Sequence, residues 1–275
     1  MRRFLYLVLP IAAIVLICCG QSVEDGAMNY YNRALHLYKC NEYNGAKLQL
    51  DSIKVLYPKA FETRGKAIRL MLRVEEAEQL RSIAYEDSVI NLLQHRIELM
   101  KEGLDYIFDS RYQDIGYYIS SRQLPESNID IDYLRAQVDE KGRMTIVSSC
   151  SDAKPIHHRS IRVSANGVYV ESNISDDYYE FKDLGRYYEK CNIYGGKERE
   201  IASFIQMYKE QGVRVELVGA SREKSYILRL TDGEAISKIY NLSLALQSYG
   251  EHMEILSEAK RRVEFIRSRM KDTNE

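Results

Sequence analysis

Residues 90–107 read INLLQHRIELMKEGLDYI, and their apolar side chains follow a heptad spacing. The apolar positions alternate in steps of three and four: Ile90, Leu93, Ile97, Met100, Leu104 and Ile107. An earlier run from Ala67 to Ala84 has the same spacing, with an interruption at Arg81. An apolar stripe of this period predicts one long helix, from Glu62 to about Phe108, that packs against another helix.

A second heptad segment lies near the other end of the chain. Its apolar positions are Ile239, Leu242, Leu246, Tyr249, Met253, Leu256 and Val263, with Lys260 as a polar exception. The two helices either pack on each other within the chain or each pair with another protein chain. We favour an antiparallel intramolecular pair, because the segment between them has the pattern of a folded insert.

The intervening residues 112–233 have the pattern of short strands. Candidate strands are Leu134–Val138, Arg143–Ser149, Ser160–Ser164, Val168–Ser172, Val213–Val218 and Tyr226–Leu230. Asn166-Gly167 between two of these runs is a strong hairpin signal. Lys197–Gln211 has apolar residues on one face and is followed by Gly212, which predicts an amphipathic helix. Together these patterns predict an antiparallel α+β domain.

Composition limits the class of protein. The AVILMFWYC set makes up 45% of the 275 residues and charged residues 29%, which excludes a disordered chain and a polytopic membrane protein. Lys and Arg number 39 against 40 Asp and Glu. This balance lacks the excess of basic residues that nucleic-acid binding requires, so we expect no nucleic-acid partner.

The amino terminus has the pattern of an export signal. Met1-Arg2-Arg3 precedes an uncharged, mostly aliphatic stretch from Phe4 to Ile17. That stretch is short for a transmembrane span, although an uncleaved anchor is the alternative. Leu16-Ile17-Cys18-Cys19 resembles the bacterial lipobox, with Cys18 at a position where Gly, Ala or Ser is more common.

This resemblance to bacterial lipoproteins implies a location as well as a modification. Cys19 would become the first mature residue and carry fatty acyl chains such as palmitate, which anchor the protein to a membrane. In bacterial lipoproteins, an Asp directly after the lipid-bearing Cys favours retention at the inner membrane. Here Gly20 and Gln21 follow Cys19 instead. By the same resemblance, the expected location is the cell envelope and the outer membrane.

Residues 27–59 resemble a tetratricopeptide repeat. The matching positions are Tyr30, Ala34, Leu37, Tyr43, Ala46, Leu50, Ile53 and Pro58, with Lys54 and Asn41 as departures. Small residues at Ala34 and Ala46 allow two antiparallel helices to approach closely, and Pro58 ends the second helix. The next 34 residues make a poor second repeat, so we expect this helical hairpin to pack on the following helix.

These patterns predict an α+β protein with six segments. The segments are a signal peptide (1–18), a tether (19–26), a tetratricopeptide-like hairpin (27–59), a first stalk helix (60–111), an inserted α+β domain (112–233) and a second stalk helix (234–275). Beyond the export signal and the helical hairpin, the chain resembles no named family.

Motifs for catalysis or cofactor binding are lacking. The sequence contains no GxSxG, HExxH or Gly-rich phosphate loop. Adjacent strand residues face opposite ways, so we expect His157-His158 to be a surface or strand-edge pair that does not chelate one metal. Cys150 and Cys191 either form a disulfide or remain buried free thiols, and we favour the thiols. We therefore expect no enzyme activity, cofactor or metal.

Two functions fit these features. The first is a lipid-anchored scaffold that recognises an envelope protein through the α+β domain. The alternative is a surface or periplasmic lipoprotein that binds a glycan or a peptide. For either function, the candidate contact residues are the paired tyrosines Tyr178, Tyr179, Tyr187 and Tyr188. The oligomeric state is left open.

Overall fold

The computed structural model describes residues 23–128, 130–220 and 222–274. The predicted signal peptide and the predicted lipid site, Cys19, lie outside the described residues. Residues 23–26, expected in the tether, are helical instead. Two contacts hold these residues. Val23 packs against the apolar cluster of the amino-terminal helices, and the Glu24 carboxylate accepts a 2.6 Å hydrogen bond from the Thr63 hydroxyl.

Three helices open the described chain: α1 (23–39), α2 (Tyr43–Leu56) and α3 (Phe61–Lys101). Asn41 has a φ of 62° in the turn between α1 and α2, a conformation that Asn tolerates well. Ala34 and Ala46 are fully buried, as expected for small residues where two helices approach. They share an apolar cluster with Leu50, Ile53, Ala67, Leu70 and Val74.

The first long helix is shorter than predicted. It ends at Lys101, and Gly103 then adopts a φ of 68°, which turns the chain out of the helix. Leu104 and Ile107 continue the heptad spacing in the sequence, yet they lie in a strand. The prediction of a helix to about Phe108 was therefore wrong, because the glycine turn overrides the apolar period.

Among the described residues, ten strands and one α-helix lie between the two long helices, as predicted for an inserted α+β domain. The strands are β1 (Leu104–Ile107), β2 (Tyr117–Ser120), β3 (Tyr133–Asp139), β4 (Met144–Asp152), β5 (His158–Ala165), β6 (Val168–Glu171), β7 (Tyr178–Asp183), β8 (Arg186–Ile193), β9 (Arg214–Gly219) and β10 (Glu223–Ile227). The helix α4 (Lys197–Tyr208) lies between β8 and β9, and a single 3-10 turn extends it.

The strands form two antiparallel sheets. A six-stranded sheet has the order β1-β2-β3-β4-β8-β7, and a four-stranded sheet has the order β10-β9-β5-β6. Residues of both sheets and of α4 share one apolar core that includes Ile146, Ile161, Ile193, Ile205 and Leu217, all at most 1% exposed.

The last helix, α5 (Leu230–Asn274), packs antiparallel against α3. It begins at Leu230, where the sequence predicted the end of a strand. The Arg267 guanidinium lies 2.7 Å from a carboxylate oxygen of Glu76. Nearer the sheets, the Lys238 ammonium donates to the carbonyl of Glu102. Among the described residues, no helix combines the length and the apolar character needed to cross a membrane.

Two compact units divide the described chain. One contains the residues up to Ser88 together with those from Met253 onward, and the other is Val89–His252. Ile97 of α3 and Ile239 and Leu246 of α5 belong to the core of the second unit. Parts of both long helices therefore complete the α+β domain, which extends beyond the predicted 112–233.

Candidate functional site

The paired tyrosines lie in a hairpin that the sequence analysis did not predict. Strands β7 and β8 are joined by Leu184-Gly185, and both turn residues have positive φ, 44° and 81°. This two-residue turn has the geometry of the type I′ class that suits the twist of antiparallel strands. Leucine rarely adopts a positive φ, so the sequence signal for this turn was only Gly185 between two aromatic runs.

The hairpin divides the four tyrosines between its two faces. Tyr179 lies opposite Lys190, and Tyr188 lies opposite Phe181, which places both tyrosines on one face. Tyr178 and Tyr187 belong to the other face. There, the Tyr178 and His158 rings are perpendicular, with centroids 6.1 Å apart, and the Tyr178 hydroxyl donates to Glu180. The structure therefore does not bring the four tyrosines together as one platform.

Tyr179, Phe181 and Tyr188 form a continuous group, here called the aromatic face. The Phe181 and Tyr188 rings are stacked, with centroids 4.9 Å apart and planes 12° apart. Tyr179 and Phe181 are 5.8 Å apart and are 61% and 42% exposed. Leu184 at the tip of the hairpin is 94% exposed. Exposed apolar groups of this kind mark contact surfaces more often than isolated apolar residues do.

Strand β7 also has an open backbone edge. Among the described strands it pairs only with β8. The Asn192 N–H donates to the carbonyl of Asp177, the residue opposite it. Hydrogen-bonded and non-hydrogen-bonded pairs alternate along antiparallel strands, so the backbone groups of residues 179, 181 and 183 bond to β8. The N–H and C=O groups of Glu180 and Lys182 therefore point away from β8, toward the open edge.

A second candidate group, of side chains able to bind a metal ion, is buried between the two sheets. Cys150 on β4 and Glu189 on β8 are opposite partners in the six-stranded sheet, while His158 begins β5 of the other sheet. The Cys150 Sγ lies 3.8 Å from His158 Nδ1, and a Glu189 carboxylate oxygen lies 3.0 Å from the same nitrogen. All three residues are at most 2% exposed.

The surroundings of Glu189 and Cys150 determine the protonation states of these two residues. Burial by itself would raise the pKa of Glu189, but hydrogen bonds from the His158 side chain and from the backbone of Ile156 and His158 lower this pKa to about 2. Burial, reinforced by the nearby Glu189 and Asp132 carboxylates, raises the pKa of the Cys150 thiol. Glu189 is therefore a carboxylate at neutral pH, and Cys150 is a protonated thiol with little nucleophilic character.

The expectation of a surface histidine pair was wrong for His158. His157 is exposed and contacts Glu180 at 2.9 Å, whereas His158 is fully buried. His157 has a φ of 56°, and the register of β5 shifts between His158 and Ser160. This irregular start of the strand places His158 between the sheets.

The cysteines within the described residues are free thiols. Cys150 and Cys191 are buried and Cys40 is exposed. Cys191 lies opposite Ser148, whereas Cys150 lies opposite Glu189, so the two thiols occupy different register positions. This agrees with the favoured alternative of the sequence analysis.

A polar cleft of about 530 Å³ lies elsewhere in the second unit. Its acidic lining residues are Asp139 and Glu198, and both already have partners. Asp139 binds the Arg143 guanidinium at 2.5 Å, and Glu198 accepts a hydrogen bond from the Gly196 N–H at 2.7 Å. These partners reduce the capacity of the two carboxylates to act as free acids or bases.

The chain matches no protein-family model, no curated protein and no solved structure.

Proposed function

We propose that this protein is a non-catalytic, lipid-anchored protein of the cell envelope that recognises a partner protein through β7. An extended segment of the partner adds as a strand to the open edge of β7. The observation that carries this proposal is the open edge itself, which borders the exposed aromatic face. Strand addition obtains affinity from backbone hydrogen bonds and specificity from alternate side chains.

A comparison of the edge strands favours β7. It has six residues, whereas the other edge strands of the described sheets, β1, β6 and β10, have four, four and five. Short edge strands are one of the devices by which proteins prevent unwanted pairing. A longer edge beside exposed aromatic rings fits a strand that receives a partner.

The chemistry of the face indicates what the partner segment carries. Tyr179 and Phe181 accept apolar side chains at alternate positions of an extended strand. Lys190 lies opposite Tyr179, and both burial and the charge of Arg135 lower its pKa. An acidic side chain in the partner segment would stabilise this ammonium group. The proposed occupant is therefore an extended, apolar segment with one acidic residue.

The anchor is part of the same proposal. Its support is the resemblance of Leu16-Ile17-Cys18-Cys19 to the lipobox, which implies an acylated Cys19 and an outer-membrane location. A chain held at a membrane surface meets envelope proteins at a high effective concentration. A weak strand-addition contact can then be sufficient for recognition.

Site-specific photo-crosslinking in intact cells tests this function. A photo-reactive amino acid replaces Tyr179 in one variant and Tyr169 in the control variant. Tyr169 is a matched control because it is 64% exposed and lies on β6, an edge strand of the other sheet. We expect a discrete protein adduct from position 179 and none from position 169. Equal adducts from both positions, or no protein adduct from 179, would contradict the proposal.

A further inference from the structure

We propose that Cys150, His158 and Glu189 form a binding site for one divalent transition-metal ion of the zinc class. This inference is independent of the proposed function, because the three residues lie between the sheets and not on the aromatic face. The ligand atoms are Cys150 Sγ, His158 Nδ1 and a carboxylate oxygen of Glu189, which all lie within 4.8 Å of one another. Thiolate sulfur, imidazole nitrogen and carboxylate oxygen are the three ligand types that zinc uses in proteins.

The separations of these atoms suit one tetrahedral ion. With a zinc–nitrogen bond of about 2.0–2.1 Å and a zinc–sulfur bond of about 2.3 Å, tetrahedral ligands lie about 3.4 Å (N to O) and about 3.6 Å (N to S) apart. The corresponding distances are 3.0 Å from His158 to Glu189 and 3.8 Å from His158 to Cys150. These two distances depart from the tetrahedral values by a few tenths of an ångström, and the sulfur and the carboxylate oxygen lie within 4.8 Å of each other.

The hydrogen bonds around His158 are compatible with a metal ligand at Nδ1. Ser148 Oγ lies 2.7 Å from His158 Nε2 and 3.3 Å from the Cys191 carbonyl oxygen. In the tautomer protonated at Nε2, this nitrogen donates to Ser148, the Ser148 hydroxyl donates to Cys191, and the Nδ1 lone pair is available to a metal ion. Without a metal ion, the other tautomer lets Nδ1–H donate to Glu189 at 3.0 Å.

Either the Nδ1 proton of His158 or a metal ion can lie between Nδ1 and the Glu189 carboxylate. The position of Cys150 favours the metal, because a proton between His158 and Glu189 makes no use of the sulfur atom directed at the same nitrogen. Ser148 then acts as the outer partner that fixes the tautomer and orientation of the histidine ligand.

The charges and the burial define the type of site. Binding displaces the thiol proton of Cys150, so that one thiolate, one carboxylate and one neutral imidazole balance a dication. Among the described residues, no fourth Cys, His, Asp or Glu joins the group, and a water molecule completes the tetrahedron. Since the ligands come from β4, β5 and β8, the ion joins the two sheets. Because the three ligands are buried and the ion would join the two sheets, we assign it a structural role, although its fourth ligand is water.

Cobalt substitution tests the site on the full chain. After removal of metal with a chelator, Co²⁺ is added, because a cobalt–thiolate bond gives a near-ultraviolet charge-transfer band. We expect one equivalent of Co²⁺ per chain with this band, and its displacement by one equivalent of Zn²⁺. Cys150→Ser should abolish the band, whereas Cys191→Ser, a variant of the other buried thiol, should keep it. His157→Gln should likewise retain binding and His158→Gln should lose it.

A measurement on the wild-type chain keeps the test valid if the variants misfold. Nitrogen NMR of the histidine rings distinguishes a metal on Nδ1 from a proton on Nδ1. We expect Nε2 of His158 to be protonated and Nδ1 to be metal-bound after addition of zinc. Failure to take up a stoichiometric ion, or a proton that stays on Nδ1 in the presence of zinc, would overturn the proposal.

Discussion

Asn166 and Leu184 occupy the same position in two equivalent turns. Each is the first residue of a two-residue hairpin loop, has a positive φ of 51° or 44°, and is followed by a glycine. Asparagine tolerates this left-handed conformation, whereas for leucine it costs about 1–2 kcal/mol. The hairpin that carries the aromatic face is therefore closed by a strained residue.

Replacing the strained residue should stabilise the protein. We expect Leu184→Asn to raise the free energy of unfolding by about 1 kcal/mol, because it creates the Asn-Gly turn that the β5–β6 hairpin already has. Asn166→Leu, the reverse change in the other hairpin, should lower it. Urea denaturation of the three proteins measures both effects. Equal stability of Leu184→Asn and the wild type would show that the turn is not strained.

Ile97 tests the contribution of α3 to the α+β domain. It is 4% exposed and belongs to the core of the second unit. Ile97→Asp places an unpaired carboxylate in that core, and we expect a loss of about 3–5 kcal/mol in the free energy of unfolding. Leu99→Asp is the matched control, since Leu99 lies on the same helix and is 55% exposed. Its effect should remain within about 0.5 kcal/mol.

Chemical denaturation followed by tyrosine fluorescence gives the two values. Similar losses for Ile97→Asp and Leu99→Asp would contradict the assignment of the buried face of α3.

The three described cysteines should react with alkylating reagents at very different rates. Cys40 is exposed, whereas burial raises the pKa of the Cys191 thiol to about 11 and also raises the pKa of Cys150. At pH 8 a thiol with a pKa near 11 is about one part in a thousand thiolate, which is the reactive form. We expect iodoacetamide to label Cys40 in the native protein, and all three thiols only after unfolding.

Peptide mass spectrometry distinguishes the sites. Rapid labelling of Cys150 or Cys191 in the native protein would show that the space between the sheets is open to solvent.

Local signals in the sequence predicted the elements that depend on neighbours in the chain. Asn166-Gly167 predicted the β5–β6 hairpin because both residues favour positive φ. The heptad spacing around Ile97 predicted a long helix, although Gly103 ended it before Leu104. The β7–β8 hairpin was missed because its turn contains Leu184, which gives no such signal.

The candidate metal site could not be found from spacing. Cys150, His158 and Glu189 are separated by 8 and 31 positions and lie on three strands. Their convergence depends on the pairing of β4 with β8, on the position of β5 in the other sheet, and on the irregular backbone at His157. These are tertiary features, which a pattern in one segment does not contain.

The proposed lipid anchor depends on one residue. We expect Cys19→Ala to abolish incorporation of a clickable fatty acid and to release the protein from the membrane fraction. Cys40→Ala is the control, because Cys40 is an exposed thiol outside the lipobox. Persistent membrane retention of Cys19→Ala without lipid would contradict the anchor and would favour the uncleaved amino-terminal segment.

Strand addition at β7 is the central claim, and Lys182→Pro tests it most directly. The Lys182 N–H points to the open edge and not to β8, so proline at this position removes a donor that only a partner strand would use. Lys182→Ala is the control, since both variants lose the cation–π contact between Lys182 and Tyr187.

The measurement is the yield of the protein adduct from the photo-reactive amino acid at position 179. We predict that Lys182→Ala keeps the adduct and that Lys182→Pro loses it, with equal thermal stability of the two proteins. An adduct that survives in Lys182→Pro would contradict strand addition.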